Sequence, residues 1–390
     1  MAFRGESLTG LAFGLLNRLN ADPDDAAAIL DLGTVHVLMG QIEAGLRYQP
    51  HALVKRQIYR DGTAAQGDDC LRLLAFAAPG DLMSNVPVQF LLENSDIRLD
   101  VLYVVPGLDL PETVPDHDLA MVIVGESAQN RPILERIASF ADIWPRQPVL
   151  NDPRRLLNLT RDGVSALIAG ADGIFIPTTV RIDADTLARL GRGELKPGDL
   201  AADAAFPVIV RPRDSHAGRG LAKLEDADAI AAYMTEEPAE EYYLARFIDY
   251  ASPDGLFRKY RVAMIDGRPY ICHMAVSSHW MIHYLNADME NSQDKRDEEA
   301  RAFATFDHDF VPRHRVAFDA MTERFGLDYF IIDCGEMPDG SLLLFEANTP
   351  MIVHAMDSAE LFPYKPPQMH RVFRAFQDML RTRAGKKDAS

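Results

Sequence analysis

The chain has 390 residues, of which 47% are hydrophobic and 25% are charged, and this composition is typical of a globular protein of two or three domains. Its formal net charge of -18 argues against a nucleic-acid-binding protein, because phosphate backbones are bound by basic surfaces. No apolar run reaches the roughly 18 residues of a membrane span, and the N-terminus lacks the features of a signal peptide. We therefore expect a cytoplasmic protein without a nucleic-acid or membrane partner, and a homodimer is left open.

The cysteines do not indicate a disulfide framework or a zinc site. Cys70, Cys272 and Cys334 are widely separated and odd in number, and their spacing matches no metal-binding motif. Buried free thiols in a reducing compartment are the expected state.

The first 66 residues are predicted to be helical. Residues 11–19 and 26–42 carry apolar side chains at helical spacing. Residues 22–25 contain an early proline and acidic residues, which are typical of a helix start. The two helices resemble one degenerate helical hairpin of the tetratricopeptide kind.

The period of the pattern changes from residue 67 onward. Buried strands are predicted at residues 71–77, 101–105 and 119–124. Helices are predicted at residues 86–93 and 130–140. Because strands that alternate with helices indicate a parallel sheet, we predict a small parallel βαβ domain over residues 67–150.

The following segment mixes both kinds of element. Helices are predicted at residues 151–170, 227–234, 313–325 and 370–381. Strands are predicted at residues 206–210, 242–250, 260–265, 268–273, 329–333 and 341–346. Turn residues at 266–267 and 338–340 indicate two hairpins, and the acidic stretch 287–301 predicts a loop with helical character.

Three oxygen-bearing side chains stand at the ends of the last hairpin. Asp333 ends its first strand, and Glu346 and Asn348 end its second. Side chains alternate along a strand, so Glu346 and Asn348 share a face to which cross-strand pairing can bring Asp333. Such donors suit Mg²⁺, which prefers oxygen ligands. A solvated sheet edge is the alternative interpretation.

A glycine-rich loop follows the strand at residues 206–210. Arg211 stands at the strand end, and Ser215, Gly218 and Gly220 lie in the loop. Glycines allow backbone N–H groups to approach phosphate oxygens, and arginine can hold a phosphate through two nitrogens. The loop is neither a P-loop nor a dinucleotide fingerprint, so a simple hairpin turn is the alternative.

The strand at residues 242–250 ends in a segment that can recognise a nucleotide. Its backbone groups can pair with a base edge, and a carboxylate beyond them can accept ribose hydroxyls. The residues concerned are Ala245, Phe247, Ile248 and Asp249. A core strand is the commoner meaning of such a sequence.

Basic, aromatic and histidine residues gather between positions 258 and 284. Arg261 stands at the beginning of a predicted strand, with Lys259 two positions before it. His279 and His283 are four positions apart but lack the adjoining carboxylate of a zinc-peptidase motif, which disfavours zinc. A polar substrate pocket, or ordinary core and loop histidines, are the remaining interpretations. The pocket candidates are His273, His279, Trp280, His283, Tyr284 and His354.

These segments, in this order, resemble the ATP-grasp superfamily over residues 67–375. The most similar branch contains carboxylate–amine ligases such as RimK-type ligases, glutathione synthetase and D-alanine–D-alanine ligase. The resemblance implies that Asp333, Glu346 and Asn348 bind magnesium and that Arg261 contacts phosphate or substrate. It implies ATP contacts by Arg161, Arg211, Ser215, Gly218, Gly220, Ala245, Phe247, Ile248 and Asp249. Arg161 and Arg211 stand where family members usually carry lysine.

The resemblance implies an α/β (α+β) fold. Its expected parts are an N-terminal helical region (residues 1–66), a parallel βαβ domain (67–150), an ATP-grasp domain (151–375), and a helix end with a tail (376–390). The ATP-grasp domain is expected to enclose the nucleotide between two α+β subdomains.

The implied activity is ATP-dependent ligation of a small carboxylate, such as an amino acid, to an amine through an acyl phosphate. ATP and Mg²⁺ are the implied cofactors, with Mn²⁺ as an alternative metal, and Arg211 and Arg261 are the implied catalytic cations. Residues 349–354 depart from the Thr-x-Pro-Gly of the peptide ligases, so the substrate stays open. The alternatives are a phosphotransferase that uses the same cleft and a non-catalytic nucleotide-binding module with a protein partner.

Overall fold

A computed structural model describes residues 6–61, 70–145, 148–215, 218–283 and 286–385. The chain divides into two compact units. The first comprises Met1–Leu157, Leu327–Tyr329 and Asn348–Ser390, and the second comprises Asn158–Gly326 and Phe330–Ala347. Within the described ranges, no helix has the length and apolar character needed to cross a membrane.

The first unit begins with helices, as predicted, but the helical region extends further than the predicted hairpin. Its helices are α1 (Thr9–Ala21), α2 (Ala26–Leu38) and α3 (Ile42–Lys55). Helix α2 begins after Asp25, whose side chain accepts a hydrogen bond from the Ala28 N–H at 3.0 Å. Helix α3 was not predicted as a separate helix, because Pro50 lies inside it.

A sheet of mainly parallel strands forms the core of the first unit. Its strands are β1 (Ile58–Arg60), β2 (Leu71–Ala77), β3 (Ile97–Tyr103), β4 (Leu119–Val122) and β5 (Val149–Leu150). The order is β1-β3-β2-β4-β5, with β2 parallel to β3 and β4, and β4 parallel to β5. The predicted parallel sheet is therefore present, and the antiparallel edge strand β1 comes from the region predicted to be helical.

Short and long helices complete the first unit. They are α4 (Val88–Leu91), α5 (Arg131–Ala141), α6 (Pro153–Leu156) and the C-terminal α14 (Lys365–Arg383). Helix α14 is anchored to the end of α4 through the Gln377 side chain, which donates to the Leu91 carbonyl at 3.1 Å.

An antiparallel sheet occupies the N-terminal part of the second unit. Its strands are β7 (Thr179–Asp183), β8 (Val208–Pro212), β9 (Ala222–Leu224) and β10 (Glu241–Arg246), in the order β7-β10-β8-β9. The helices of this part are α7 (Arg161–Ile168), α8 (Ala184–Gly191), α9 (Pro197–Leu200) and α10 (Asp228–Glu236). Leu187 of α8, Ile230 of α10 and Val210 of β8 pack together in its core.

A second sheet carries the residues predicted to bind magnesium. Its strands are β6 (Ile174–Phe175), β11 (Phe257–Ile265), β12 (Arg268–Ser277), β13 (Tyr329–Glu336) and β14 (Leu342–Asn348). The order is β12-β11-β13-β14-β6, so β11 lies beside β13. Both predicted hairpins are present, and their strands extend beyond the predicted bounds.

The predicted loop at residues 287–301 is largely helical. Helix α11 (Gln293–Thr305) is followed by a π-helical turn (Phe306–Phe310), by α12 (Val311–Arg313) and by α13 (Arg315–Phe325). The side chain of Glu299 in α11 is fully buried and accepts a hydrogen bond at 3.0 Å from the Met274 N–H of the edge strand β12. This long-range contact stabilises a helix whose polar sequence predicts only a loop with helical character.

Candidate functional site

Asp333 on β13 is a buried carboxylate held by two cations of β11. Arg261 donates from Nε to Oδ1 at 2.8 Å and from Nη2 to Oδ2 at 3.0 Å. Lys259 Nζ lies 2.8 Å from Oδ2. Burial by itself raises the pKa of the Asp333 carboxyl, but the charges of Arg261 and Lys259 outweigh burial and hold the pKa well below its usual range. Asp333 is therefore ionised.

The alternation of side chains along β11 explains why both cations reach Asp333. Lys259 and Arg261 are two positions apart and share one face of the strand. Arg258 turns to the other face and pairs with Asp254, with Nη2 and Oδ2 2.7 Å apart. A β-bulge follows Arg261, where the register of β11 against β12 shifts. Bulges of this kind often re-aim side chains beside active sites.

Glu346 on β14 pairs with Arg161, the first residue of α7. The Arg161 Nη2 and Glu346 Oε2 atoms are 3.0 Å apart. Helix α7 is fixed at this end because Thr160 Oγ1 accepts a hydrogen bond from the Gly163 N–H at 3.0 Å. Burial raises the pKa of Glu346, whereas Arg161 lowers it, and the net pKa is below the usual value.

Asn348, the third predicted magnesium ligand, ends β14 and belongs to the first unit. It is buried, and its Oδ1 accepts a hydrogen bond from the Thr349 N–H at 2.8 Å. Among the described residues, no group of three or more His, Cys, Asp or Glu side chains is arranged to hold a metal. The predicted trio contains only two such side chains, because its third member, Asn348, is an amide.

Arg211, the last residue but one of β8, is 6% exposed. Its Nε donates to Ser215 Oγ at 3.0 Å, and its Nη2 donates to the Ser215 carbonyl. In the described part of the chain, its hydrogen bonds thus go to oxygens that carry no charge. Burial, followed by repulsion from Arg161, lowers the pKa of the Arg211 guanidinium to about 9, although Glu346 acts in the opposite direction. The charge of the buried Arg211 guanidinium is therefore not neutralised by a carboxylate among its hydrogen-bond partners in the described residues.

Gly220, in the loop after Arg211, packs closely against Pro212 of strand β8. Gly220 has a φ of 63°, and a Cβ there would lie 2.6 Å from Pro212 Cδ. The Gly220 carbonyl accepts a hydrogen bond from Tyr233 Oη at 2.7 Å. Gly218 also has a positive φ, of 73°. Glycine at position 220 is thus required both by its backbone conformation and by the close contact.

The predicted base-recognition segment follows the end of β10. The Phe247 N–H donates to the Pro207 carbonyl at 3.0 Å, so Phe247 continues the pairing beyond the strand. The Phe247 ring lies edge-on to Trp280, with centroids 5.6 Å apart, and Lys223 Nζ lies 4.2 Å from the Phe247 centroid. Asp249 is exposed, and its Oδ1 accepts the Ala251 N–H at 3.0 Å.

The other two residues predicted in this segment occupy ordinary backbone positions. Ala245 lies within β10 and pairs with Ile209 of β8 and Thr179 of β7. Ile248 follows Phe247 and is partly buried. The backbone groups of these residues, rather than their side chains, would carry base recognition.

The described pocket candidates have different surroundings. His273 lies opposite Arg261 in the β11–β12 register. The pKa of His283 is lowered, first by burial and then by the charges of Lys259 and Arg261. His279 is exposed, and its N–H donates to Ser277 Oγ at 3.1 Å. The remaining candidates are Trp280, which contacts Phe247; His354, which lies in the first unit with its ring 6.5 Å from Phe90; and Tyr284, which is outside the described residues.

Two lysines in the site were not assigned a role by the sequence. Lys259 contacts Asp333, and it also donates to the Ile282 carbonyl at 3.1 Å. Lys223 lies over Phe247. The signal for Lys259 was its two-residue spacing from Arg261 on a predicted strand. For Lys223 there was no local signal, because β9 has three residues and follows an irregular loop.

We call six of these side chains the charged cluster: Arg161, Arg211, Lys259, Arg261, Asp333 and Glu346. Direct ion pairs join Arg161 to Glu346, and Lys259 and Arg261 to Asp333. Glu346 also interacts electrostatically with Asp333, Arg211 and Lys259. Four cations against two carboxylates leave about two positive charges uncompensated within the cluster, which suits a bound polyanion.

Neither protein-family models nor curated proteins include a match to this chain. Among solved structures, the chain is similar to D-alanine–D-alanine ligase from Bacillus anthracis complexed with ATP, with 14% sequence identity, a TM-score of 0.45, and coverage of 82% of this chain and 100% of that chain. It is similar to a RimK domain ATP-grasp protein from Sphaerobacter thermophilus DSM 20745, with 16% identity, a TM-score of 0.45 and coverage of 79% and 99%. It is also similar to the VanG D-Ala:D-Ser ligase from Enterococcus faecalis, with 12% identity, a TM-score of 0.48 and coverage of 80% and 100%.

Proposed function

We propose that this chain is an ATP-grasp carboxylate–amine ligase that binds ATP at the charged cluster. The observation that carries the proposal is Arg211, a buried guanidinium whose hydrogen bonds, within the described residues, go only to neutral oxygens of Ser215. A buried cation in this state is unfavourable unless a ligand supplies the missing negative charge. Phosphate oxygens are the acceptors that match a guanidinium best.

The charge of the cluster supports a nucleotide triphosphate with a metal ion. The cluster has about two uncompensated positive charges, and a magnesium–ATP complex carries roughly two net negative charges at neutral pH. The cations stand on separate elements, with Arg161 on α7, Arg211 on β8, and Lys259 and Arg261 on β11. Such an arrangement can contact several phosphates at once.

The carboxylates of the cluster fit Mg²⁺ in donor chemistry. Asp333 and Glu346 both have lowered pKa values, so both supply ionised oxygen donors of the type that Mg²⁺ prefers. Glu346 is paired with Arg161 and Asp333 with Arg261, and these two arginines would also contact the phosphates of a bound nucleotide. Asp333 and Glu346 would hold the ion, and Asn348 stays a sequence prediction as a third ligand. A bound Mg²⁺ would neutralise charge on the phosphate oxygens.

The aromatic residues near the glycine loop support a purine base as the other end of the ligand. Phe247 and Trp280 offer apolar surface, and the regular ladder of β10 ends after the Phe247 N–H, which still pairs with the Pro207 carbonyl. Lys223 Nζ lies over one face of the Phe247 ring. Base recognition would then rest on this aromatic pair and on backbone groups of residues 247–249.

The reaction requires positioning and charge neutralisation rather than a protein nucleophile. A substrate carboxylate oxygen attacks the γ-phosphorus, the bond to the ADP oxygen breaks, and an acyl phosphate forms. The amine nitrogen then attacks the acyl carbon, phosphate leaves, and the nitrogen loses a proton. Lys259, Arg211 and Arg261 would stabilise the charge that moves onto the phosphate oxygens. The buried thiols of Cys272 and Cys334 have raised pKa values, so they remain neutral and are poor nucleophiles.

The experiment compares two substitutions on opposite faces of β11. We expect Lys259→Met to weaken Mg–ATP binding, measured by calorimetry, by about 10–100-fold, because it removes a charged hydrogen-bond donor. Arg258→Met is the matched control, since Arg258 faces Asp254 and should leave binding within about threefold. Equal effects of the two substitutions, or no Mg–ATP binding by the natural chain, would reject the assignment of the cluster.

A second assay separates the ligase from its alternatives. ADP release is followed with a panel of amino acids and small carboxylates, each with and without an added amine. ADP together with an amide product supports a ligase, whereas ADP with a phosphorylated product and no amide supports a phosphotransferase. Mg–ATP binding without ADP release under any condition supports a non-catalytic binding module.

A further inference from the structure

Tyr250 stands just beyond the segment proposed to recognise the base, and its side chain is held on several sides. It is 5% exposed, and its ring centroid lies 4.9 Å from those of Phe257 and Phe345. A Cβ added to Gly335 of β13 would lie 3.2 Å from Tyr250 Cδ2, so the ring also packs on backbone that carries no side chain. These contacts fix the position of the Tyr250 ring and of its hydroxyl.

The Tyr250 hydroxyl bonds to a backbone group 30 positions further along the chain, where its Oη donates to the Trp280 carbonyl at 2.9 Å. Burial raises the pKa of Tyr250, so the hydroxyl stays protonated and acts as a donor at neutral pH. Trp280 lies outside regular secondary structure, because β12 ends at Ser277. Its backbone therefore depends on such side-chain contacts for a fixed position.

A second carbonyl of the same segment is held from β11. Lys259 Nζ donates to the Ile282 carbonyl at 3.1 Å, and the same ammonium group pairs with Asp333. Hydrogen bonds from two different elements thus hold the carbonyls of Trp280 and Ile282, which are two positions apart. Two fixed carbonyls in three residues define the path of the backbone over residues 280–282.

The side chains of this short segment contact two parts of the proposed nucleotide site. The Trp280 ring lies edge-on to Phe247, with centroids 5.6 Å apart and an angle of 83° between the rings. A Cβ added to Gly218 would lie 3.6 Å from Met281 Sδ, so Met281 lies beside the glycine loop. The position of residues 280–281 therefore affects the surroundings of a bound nucleotide.

We propose that Tyr250 is a positioning residue for the nucleotide base. Its hydrogen bond fixes the Trp280 carbonyl, and this places the Trp280 ring against Phe247, where the two rings form one wall of the base pocket. Tyr250 acts through Trp280 and not by touching the nucleotide. The inference rests on the proposed function, since it concerns the same ATP site.

The test compares ATP with inorganic tripolyphosphate, which carries the phosphates without a base. We expect Tyr250→Phe to weaken Mg–ATP binding, measured by calorimetry, about three- to tenfold, because it removes one hydrogen bond and keeps the ring. Binding of Mg–tripolyphosphate should stay within about twofold of that by the natural chain. Lys259→Met, by contrast, should weaken both ligands, since it removes a charge from the cluster.

Tyr260→Phe is the matched control, because Tyr260 is also buried, with 8% of its surface exposed. Its side chain alternates to the other face of β11 from Lys259 and Arg261. Its ring packs on Phe310, with centroids 4.5 Å apart. Tyr260→Phe should therefore bind both ligands like the natural chain.

A double variant tests whether Tyr250 acts through Trp280. Trp280→Leu alone should weaken Mg–ATP, and adding Tyr250→Phe should change that affinity less than twofold, because the ring that Tyr250 positions is already absent. In the ADP-release assay, Tyr250→Phe should raise the KM for ATP about three- to tenfold and leave kcat within about twofold. This is the pattern for an interaction with the base that is equal in the ground state and the transition state.

Tryptophan fluorescence gives a measurement that does not need a nucleotide. The chain has two tryptophans, so a Trp144→Phe background leaves Trp280 as the remaining one. In this background, Tyr250→Phe should raise the quenching of Trp280 by acrylamide, because the segment loses one of its two fixed carbonyls. Tyr260→Phe should leave the quenching unchanged.

Three outcomes would overturn the inference: equal losses of ATP and tripolyphosphate affinity in Tyr250→Phe, equal behaviour of Tyr250→Phe and Tyr260→Phe, or independent losses in the double variant. In a chain that does not bind Mg–ATP, Tyr250-dependent quenching would reject the proposed function and retain Tyr250 as the residue that positions Trp280. Unchanged quenching in such a chain would reject both. The two proposals therefore fail separately.

Discussion

Arg261 forms a bidentate ion pair with Asp333, in which Nε lies 2.8 Å from Oδ1 and Nη2 lies 3.0 Å from Oδ2. The two residues are 72 positions apart in sequence and lie on the adjacent strands β11 and β13. This bidentate geometry orients the guanidinium as well as neutralising the carboxylate. Because Lys259 shares the same carboxylate, Asp333 positions two cations of the charged cluster at once.

Removing the Asp333 charge should destabilise the protein strongly. Asp333→Asn leaves two buried cations without their partner, and breaking a buried pair in this way typically costs about 3–5 kcal/mol. The free energy of unfolding in urea measures the effect. Asp254→Asn is the control, because it breaks the partly exposed pair with Arg258 on the other face of β11 and should cost less than about 1 kcal/mol. Similar losses of unfolding free energy in both variants would contradict the role of Asp333 as the shared partner of Lys259 and Arg261.

The metal-free protein should lose stability as the pH falls below about 5. Asp333 and Glu346 have pKa values below those of unfolded carboxylates, which lie near 4. Near and below pH 4 the unfolded chain therefore binds protons that the folded chain does not, so stability falls with pH at up to about 1.4 kcal/mol per pH unit for each group. Urea denaturation between pH 3 and 7 in a chelator checks this. In the Asp333→Asn variant, the free energy of unfolding should depend less steeply on pH. An unchanged slope would contradict a lowered pKa at Asp333.

Arg211 should reduce the stability of the free protein while supporting nucleotide binding. Replacing Arg211 with Met removes a buried charge that is poorly compensated, so the melting temperature without ligand should rise by about 2–4 °C. The additional stabilisation by Mg–ATP should disappear in the same variant. Differential scanning fluorimetry with and without Mg–ATP measures both effects.

Arg213 provides the control for this experiment. It follows β8, forms an ion pair with Glu241 and is more exposed than Arg211. Arg213→Met should lower the melting temperature slightly and retain the shift with Mg–ATP. If Arg211→Met melts earlier than the natural protein and still responds to Mg–ATP, Arg211 is a structural residue.

The loop after β8 should depend on glycine at position 220. Gly220→Ala combines a positive φ of 63° with a contact of 2.6 Å to Pro212 Cδ, so we expect a loss of about 2 kcal/mol or more. Gly193→Ala has a similar φ of 71° but open space around its Cβ, and it should cost only about 1 kcal/mol. Unfolding and Mg–ATP titrations of both variants show whether loop geometry controls binding. Nucleotide affinity should fall only for Gly220→Ala.

The sequence predicted several elements well where a short segment carries its own signal, such as a continuous apolar run. Strand β2 has the predicted bounds, Leu71–Ala77, since it is a continuous apolar run that is buried almost throughout. Strand β7 and helix α8 were not predicted. Strand β7 lies at a sheet edge and Ile182 is the one buried residue of its five, so its identity as a strand comes from pairing with β10 rather than from its own pattern.

The amino-acid pattern alone predicts which side chains stand at strand ends and which of them share a face. The two-residue spacing of Lys259 and Arg261 places both on one side of β11, and the spacing of Glu346 and Asn348 follows the same rule on β14. Their partners depend on the folded chain: Asp333 for Arg261, Glu346 for Arg161, and neutral oxygens for the buried Arg211. The physical reason is that sheet order brings distant strands together, and the electrostatic state of a charge depends on the groups across that space rather than on its neighbours in the chain.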